Sequence, residues 1–248
     1  MRFRVGTTEI AITHAARPDL LAGVSARLAR GEGFALATLN LDHLVKLHRD
    51  PGFRTAYAAQ DMVVADGNPI VWLSRLAGQP VELMPGSDLV LPLCEAAAQA
   101  GLPVSMLGAS AEALDAASAD LARRIPGWRQ GLLIAPPMGF DPEGEAARAA
   151  LARLAELGPG LCLIALGAPK QERLAALGRR LAPQLGFASV GAGVEFLSGH
   201  QRRAPQWIRA LALEWLWRAL SSPRRLIPRY AACAAILPGE ALRALRRR

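Results

Sequence analysis

The chain has 248 residues, of which 52% are hydrophobic and 20% are charged, and its formal net charge is +8. This balance excludes an intrinsically disordered or low-complexity protein, because such chains bury too little apolar surface to fold. The cysteines Cys94, Cys162 and Cys233 lie far apart and form no CxxC pair, which argues against a disulfide framework or a cysteine zinc site. We expect one large domain, or one domain with an appendage, in a reducing compartment.

The positive charge is concentrated near the C-terminus. Residues 202–248 contain 11 Arg and 2 acidic residues, a net charge of +9, so the first 201 residues carry −1. The first ten residues lack the apolar core of a signal peptide. The longest uncharged apolar run near the end, 230–238, has about half the length that a membrane span needs. We therefore expect a cytoplasmic protein with a neutral body and a basic tail.

Short apolar runs alternate with helical patterns along the body. The predicted strands are 34–39, 62–65, 104–107, 132–135, 161–166 and 187–190. The predicted helices are 41–48, 53–59, 69–76, about 87–100, 112–124 and 143–157. We expect Ser87 and Asp88 to cap the helix that ends near residue 100, and Pro169 to lie in the first turn of a further helix.

Strands joined by crossover helices predict an α/β fold, with a Rossmann-like parallel sheet and helices on both of its faces. The strands show no alternation of polar and apolar residues, which is typical of strands that are covered on both sides. The composition changes near His200, where Arg and Trp become frequent. We therefore predict an α/β domain over residues 1–200 and a basic, Trp-containing helical appendage over residues 201–248.

Five predicted loops follow the carboxyl ends of strands, which is where open parallel sheets bind their ligands. These loops are 38–40, 66–68, 107–109, 167–172 and 191–193. Polar residues stand directly after the apolar strand in three of them. Because the carboxyl ends of parallel strands meet at one edge of the sheet, the loops predict a shared binding site.

Asp66 is the sharpest single candidate in these loops. A carboxylate at the end of a strand, beside Gly67 and apolar neighbours, can have a raised pKa and act as a general base. The alternative, which spacing alone favours, is that Asp66 caps the following helix. Asn68 can take the capping role instead and leave Asp66 available for chemistry.

The segment 167–172 is the second candidate. Gly167 lets a ligand approach the backbone, and the start of the following helix offers N–H groups to an anion. Lys170 adds a positive charge, and Gln171 can hydrogen-bond to a sugar or a base. An ordinary turn between a strand and a helix fits the pattern equally well.

Signatures of cofactors and metals are weak. The segment 191–193 resembles half of a dinucleotide fingerprint, but Phe196 stands at its last glycine position, which disfavours NAD. The four histidines lack the spacing of metal ligands, and we expect packed or solvated side chains. The sequence also contains no DxD pair that would hold a divalent ion on a nucleotide diphosphate. We therefore expect neither a cofactor nor a metal.

The tail contains Trp207, Trp215 and Trp217 among its arginines. Such a segment can lie on an anionic membrane surface, with its tryptophans at the level of the headgroups. Arg-rich segments also bind nucleic acid, but nothing here resembles a recognition helix or a stacking platform. A basic helix packed on the body is a third interpretation. We favour membrane contact because the tryptophans lie within stretches rich in Leu and Ala.

Six ordered blocks are spread over residues 38–230. They read TLN at 38–40, DPGFR at 50–54, ADG at 65–67, GSDL at 86–89, GAPKQE at 167–172 and a C-terminal set with RAPQW at 203–207, LEW at 213–215 and PRRL at 223–226. Together they resemble the WecG/TagA/CpsF family of bacterial glycosyltransferases. The resemblance covers most of the chain.

This resemblance implies an inverting transfer of a hexosyl or N-acetylhexosaminyl group from a UDP-sugar to a polyprenyl-diphosphate-linked saccharide, in surface polysaccharide biosynthesis. It implies that Asp66 takes the proton of the acceptor hydroxyl group. Arg218, Arg225 and Arg229 would stabilise the charge on the departing diphosphate. The appendage would dock on the inner face of the membrane and complete the active site of the catalytic domain.

The resemblance also implies a set of substrate-binding residues, among which Thr38, Asn40 and Gln171 would position the donor or the acceptor. The remaining members that we assign are Gly67, Asp88, Gly108, Gly167, Lys170, Glu172, Glu195 and Arg229. The expected partners are a UDP-sugar, a polyprenyl-linked acceptor and an anionic membrane surface, without nucleic acid. A homo-oligomer is left open.

Two positions depart from the family pattern. Leu83 stands where the family usually has Arg, three residues before the glycine of GSDL. Glu195 replaces an aspartate and is one methylene longer. Both changes leave the donor sugar open among N-acetylmannosamine, its uronic acid, glucose and galactose.

Two other functions compete with transfer. The first is a non-catalytic protein that binds a nucleotide or nucleic acid through the same loops and the basic tail. The second is a dinucleotide oxidoreductase, which the incomplete glycine fingerprint disfavours.

Overall fold

The computed structural model describes residues 1–197, Trp217 and 223–247, with the backbone alone at Arg225. The strands are β1 (Arg2–Val5), β2 (Thr8–Ala11), β3 (Phe34–Leu39), β4 (Met62–Ala65), β5 (Val104–Gly108), β6 (Gln130–Ile134), β7 (Gly160–Ala165) and β8 (Leu185–Ser189). The helices are α1 (Arg17–Ala29), α2 (Leu41–Arg49), α3 (Pro51–Ala58), α4 (Asn68–Leu76), α5 (Gly86–Gln99), α6 (Ala111–Arg124), α7 (Glu145–Glu156), α8 (Lys170–Leu181), α9 (Gly193–Leu197) and α10 (Pro223–Leu245).

A six-stranded sheet in the order β4-β3-β8-β7-β5-β6 forms the centre of the fold. All five strand pairings in this sheet are parallel. Helices cover both faces of the sheet, so the predicted α/β class is confirmed, together with a helix near the C-terminus. The strands after which candidate residues stand, β4, β3, β8 and β7, are direct neighbours.

Strand β3 shows why the apolar runs become central strands. All six of its residues are buried. Phe34 and Leu36 pack in one apolar cluster with α1, α5 and α6, whereas Ala37 and Leu39 pack in another with α2, α3 and α4. Alternate side chains point to opposite faces of a strand, so an unbroken apolar run is needed where both faces are covered.

The sequence pattern predicts no element before residue 34, and the structure contains three there. Strands β1 and β2 form an antiparallel hairpin, and α1 follows it. Phe3, Val5 and Ile10 bury their side chains in the cluster that contains α2, α3 and α4. The hairpin therefore extends the core on the face of the sheet that α2, α3 and α4 cover.

The predicted cap of α5 is wrong. The N-cap residue is Pro85, no side chain caps the helix, and Ser87 and Asp88 lie in its first turn. Tertiary contacts set this start: the Met84 N–H donates to the Ala65 carbonyl at 2.8 Å. Gly86 lies against Val190, since a Cβ atom there would be 3.1 Å from the Val190 Cα atom. Pro169 is likewise the N-cap residue of α8 rather than a residue of its first turn.

Helix α10 packs on the body against α2 and α4. Cys233 and Ala244 belong to the same apolar cluster as the residues of those helices. Glu240 is only 4% exposed and pairs with Arg243 at 2.6 Å and with His48 at 3.5 Å. Among the described residues, none of the helices combines the length and the apolar character that crossing a membrane requires. Residues 223–245 of the predicted appendage are thus attached to the α/β body.

Replacing Ala244 by Gln tests this attachment. Ala244 is 2% exposed, so the larger polar side chain should lower the free energy of unfolding by about 1–3 kcal/mol. At this chain length each kcal/mol lowers Tm by roughly 2–4 °C. Leu242→Gln is the control, because Leu242 is 52% exposed and its substitution should change stability by less than about 0.5 kcal/mol. Equal Tm shifts in the two variants would contradict the packing of α10.

Candidate active site at the carboxyl edge of the sheet

The parallel register brings the polar residues after β3 and β4 together. Leu39 pairs with Ala65, so the next residues, Asn40 and Asp66, leave the sheet side by side. The Nδ2 atom of Asn40 donates to Oδ2 of Asp66 at 3.3 Å. The Asp66 N–H also donates to the Leu39 carbonyl at 2.7 Å. The predicted convergence of these loops at one edge is therefore present.

Asp66 does not cap α4. The N-cap residue of α4 is Gly67, with a φ of 99°, and no side chain caps the helix. The capping interpretation, which spacing alone favoured, is wrong, and the alternative cap Asn68 is the first residue of the helix. A positive φ is accessible to glycine at little cost, so Gly67 lets the chain turn directly after Asp66. The half-buried carboxylate is thus oriented by Asn40 rather than by the helix that follows it.

Asn40 has a second partner, because its Oδ1 atom accepts a hydrogen bond from the His43 N–H at 3.0 Å and caps α2. One amide therefore fixes both the start of α2 and the carboxylate of Asp66. Thr38 lies near the end of β3, two residues before Asn40, and is 4% exposed. The backbone of Thr38 forms a hydrogen bond with the ring of His43.

A layer of buried polar and aromatic side chains lies behind this edge. His43, Phe53 and Tyr57 make edge-to-face ring contacts with one another, with centroids 5.4–6.1 Å apart. The Nδ1 atom of His43 lies 3.4 Å from the Tyr57 hydroxyl oxygen. Burial lowers the pKa of His43 to about 3, so the imidazole is neutral at physiological pH. Burial also raises the pKa of Tyr57, and the charges of Glu172 and Asp66 raise it further.

Gln171 and Glu172 come from the first turn of α8 and are 3% and 0% exposed. The Gln171 side chain joins two elements, since its Oε1 atom accepts from the Gly191 N–H at 3.1 Å and its Nε2 atom donates to Glu172 Oε1 at 2.9 Å. Within the part of the chain that the structure describes, Glu172 Oε2 has no hydrogen-bond partner. Burial raises the pKa of Glu172 to about 7.

Two lysines lie near the site, and the one that the sequence did not predict makes the contact with the GAPKQE loop. Lys170 donates to the Phe140 carbonyl at 2.8 Å, so its amine is tied to the loop after β6. Lys46, which sequence analysis did not select, lies 2.8 Å from Asp42 Oδ2 and donates to the Ala168 carbonyl at 3.1 Å. It therefore connects α2 to the GAPKQE loop. No motif marked this lysine, because its contact with the Ala168 carbonyl depends on how α2 packs.

Arg229 of α10 reaches the same carboxylate, with its Nη2 atom 3.1 Å from Asp42 Oδ2. Asp42 is 8% exposed, so the two cations neutralise a carboxylate that is almost fully buried. The predicted catalytic residue Arg218 lies outside the described residues. Arg225 belongs to α10, and its side chain is also outside what is described.

The remaining predicted residues lie around the same edge. Gly108 has a φ of 115°, and a Cβ atom there would be 2.4 Å from the Ala165 carbonyl oxygen, so only glycine fits where β5 meets β7. Gly167 is exposed with a φ of 71°. Asp88 lies in α5 and Glu195 in α9, and these two helices pack together.

Leu83, the departure from the family pattern, lies next to the candidate base. It forms a parallel bridge with Ala65, the residue before Asp66. Its half-buried side chain packs on the cluster that contains α2, α3 and α4. An apolar residue therefore stands beside Asp66 at the position where the resemblance predicted a cation. Among the described residues, no group of three or more His, Cys, Asp or Glu side chains is arranged to hold a metal ion.

The fold and the site are those of an α/β protein whose polar residues gather at the carboxyl edge of a parallel sheet. The model of the Glycosyl transferase WecG/TagA/CpsF family matches residues 5–248, nearly the whole chain. The chain therefore belongs to this family and is a glycosyltransferase of cell-surface polysaccharide synthesis. A sugar donor and an acceptor substrate follow from that membership, and it gives no support to the two competing functions.

The buried carboxyl group of Glu172 predicts a pH-dependent stability. The pKa of this carboxyl group is about 7 in the folded protein, whereas that of an unperturbed glutamate, as in the unfolded chain, is 4.5. Between these values the unfolded chain loses the proton while the folded protein keeps it. The free energy of unfolding therefore decreases as the pH rises through this window, by at most about 3 kcal/mol.

Glu172→Gln removes this titration, so the Tm of the variant relative to that of the wild type should increase between pH 5 and pH 8. The titration of His43 is present in both proteins and cancels in the difference. Glu156→Gln, at an exposed position of α7, is the control for the substitution itself. A Tm difference that stays constant across this range would show that Glu172 is not perturbed by burial.

Proposed function

We propose that the protein is an inverting glycosyltransferase that uses a UDP-sugar as donor and a polyprenyl-diphosphate-linked saccharide as acceptor. The transferred group is a hexosyl or N-acetylhexosaminyl group. The observation that carries this proposal is the carboxylate of Asp66, which stands at the edge of the sheet, is held by the Asn40 amide at 3.3 Å and caps no helix. A general base needs this kind of oriented carboxylate.

In the proposed reaction Asp66 takes the proton of the acceptor hydroxyl group. The acceptor oxygen attacks the anomeric carbon from the face opposite UDP and forms the new glycosidic bond. The bond between that carbon and the diphosphate oxygen breaks, and UDP leaves with the electron pair. Attack on the opposite face inverts the configuration at the anomeric carbon. The hydrogen bond from Asn40 orients the carboxylate for the proton transfer.

Negative charge grows on the diphosphate as this bond breaks, and cations at the site would stabilise it. We assign this role to Arg218, Arg225 and Arg229. The position of Arg229 supports the assignment, because its ion pair with Asp42 brings α10 to the helix that begins at Asn40. The start of α8 after Gly167 offers further N–H groups to a phosphate.

Substrate binding is proposed for Thr38, Asn40, Gly67, Asp88, Gly108, Gly167, Lys170, Gln171, Glu172, Glu195 and Arg229. Their convergence at the carboxyl ends of β3, β4, β5, β7 and β8 supports this assignment. No metal or cofactor enters the proposed reaction. The identity of the donor sugar depends on the surroundings of Leu83 and Glu195, where the chain departs from the family.

The proposed location is the inner face of the cell membrane, with the basic appendage in contact with anionic lipid. The net charge of +9 on residues 202–248 supports this location, because anionic lipid attracts positive charge. Because α10 also packs on the body, deletion of the whole appendage would uncover part of the core. Substitutions in the appendage are therefore the cleaner test of lipid contact.

Asp66→Asn tests the base directly. Asn has nearly the same shape but accepts no proton from the acceptor hydroxyl, so the transfer rate should fall about 10²–10⁴-fold. The affinity for UDP and the Tm should stay close to those of the wild type, which shows that the site is still formed. Wild-type activity in Asp66→Asn would refute the assignment of the base.

A thermal-shift measurement with UDP, several UDP-sugars and NAD tests the donor class. A ligand at 100 times its Kd adds about 2.7 kcal/mol of stability, which corresponds to a rise in Tm of several degrees. We expect a rise with UDP and with the matching UDP-sugar but none with NAD. Repeating the measurement with anionic vesicles shows whether a site is completed only on lipid. A rise with NAD alone, or no rise with any uridine nucleotide on lipid, would contradict the proposed donor.

A further inference from the structure

Glu172 is a fully buried carboxyl group behind the candidate site. Its backbone carbonyl accepts from Gln60 Nε2 at 3.1 Å, and the same Nε2 atom donates to the Ala56 carbonyl at 2.8 Å. Gln60 therefore fixes the first turn of α8 to α3. The main chain of Glu172 is held in place independently of its carboxyl group, so a substitution of the side chain can test the carboxyl group alone.

The carboxyl group of Glu172 and the Gly191 N–H together determine how the amide of Gln171 is oriented. An amide can turn by half a rotation and exchange its oxygen and nitrogen atoms. Here Gly191 supplies a donor on one side and Glu172 Oε1 an acceptor on the other, so only one orientation satisfies both partners. Without the acceptor, the nearly fully buried NH₂ group of Gln171 would lose its partner, which is costly in a protein interior.

The Gln171 amide in turn holds the loop that follows β8. Gly191 leaves the strand adjacent to β3, and two residues later Gly193 begins α9. A Cβ atom on Gly193 would be 3.2 Å from the Ser87 Cα atom, so the loop lies directly against the start of α5. A shift of this loop would therefore reach both the neighbouring end of β3 and the GSDL block.

We propose that Glu172 is a positioning residue, whose buried carboxyl group fixes the amide of Gln171 and, through it, the loop after β8 in the geometry that sugar transfer needs. This inference rests on the proposed function and deepens it. It replaces direct contact with substrate by an action through Gln171, because the Glu172 side chain is 0% exposed.

Two variants distinguish the effect of the hydrogen-bond acceptor at position 172 from the effect of side-chain size. Glu172→Met keeps a similar length and removes the acceptor for Gln171. Glu172→Gln keeps a carbonyl acceptor. Leu28→Ala is the stability control, since Leu28 is 3% exposed at the end of α1, close to the opposite edge of the sheet. The measurements are kcat and KM for the UDP-sugar, Tm, and hydrogen exchange in peptides that contain Gly191.

In Glu172→Met we expect kcat to fall about tenfold or more, with a smaller change in KM. Small displacements of groups that position a substrate lower the rate by at least this factor. Amide exchange over the loop at 190–193 should become faster. Glu172→Gln should recover most of the lost rate and the slow exchange. Leu28→Ala should lower Tm without changing kcat or exchange in this loop.

Two results would overturn the proposal. One is Glu172→Met with wild-type kcat and wild-type exchange in the loop. The other is Glu172→Gln as impaired as Glu172→Met, because a retained acceptor would then have no effect. Failure of the proposed function is distinguishable: the wild-type protein would transfer from no UDP-sugar, while the exchange comparison would still report whether Glu172 holds Gln171 and the loop.

Discussion

The hydrogen bond between Asn40 and Asp66 is the contact on which the site depends. Parallel pairing of Leu39 with Ala65 puts the two residues next to each other, and the Asn40 amide then binds in two directions. Its oxygen accepts from the His43 N–H and begins α2, while its nitrogen donates to the Asp66 carboxylate. The direction of the candidate base is therefore set by the same side chain that sets the start of a core helix.

Behind this contact, burial favours the neutral forms of His43 and Glu172. His43 has a pKa of about 3, and Glu172 retains its proton up to a pH of about 7. A second buried negative charge near Asp66 would cost free energy, because charges interact strongly where water is excluded. A neutral layer can instead hold neighbouring side chains by hydrogen bonds, as Glu172 holds Gln171. Hydrogen bonds between buried side chains and the main chain thus hold the edge from behind.

The C-terminal helix connects the basic tail to this edge. Arg229 pairs with Asp42, Asp42 pairs with Lys46, and Lys46 binds the carbonyl of Ala168 in the loop before α8. Farther along α10, Arg243 is paired with Glu240. Part of the positive charge of the tail is therefore paired within the protein, and counting arginines overstates the charge that the tail leaves for an external partner.

The sequence by itself determined the architecture and the edge of the sheet at which the candidate loops gather. Unbroken apolar runs marked the strands of the parallel sheet within a few residues, since both faces of the sheet are covered, and a parallel sheet collects its loops at one edge. Only the tertiary structure decided which polar residues meet there. Asn40 and Asp66 are 26 residues apart, Gln171 and Gly191 are 20 apart, and Gln60 and Glu172 are 112 apart. Local spacing carries no information on such contacts, which is why it favoured a helix cap at Asp66 and gave no sign that Lys46 reaches the loop before α8.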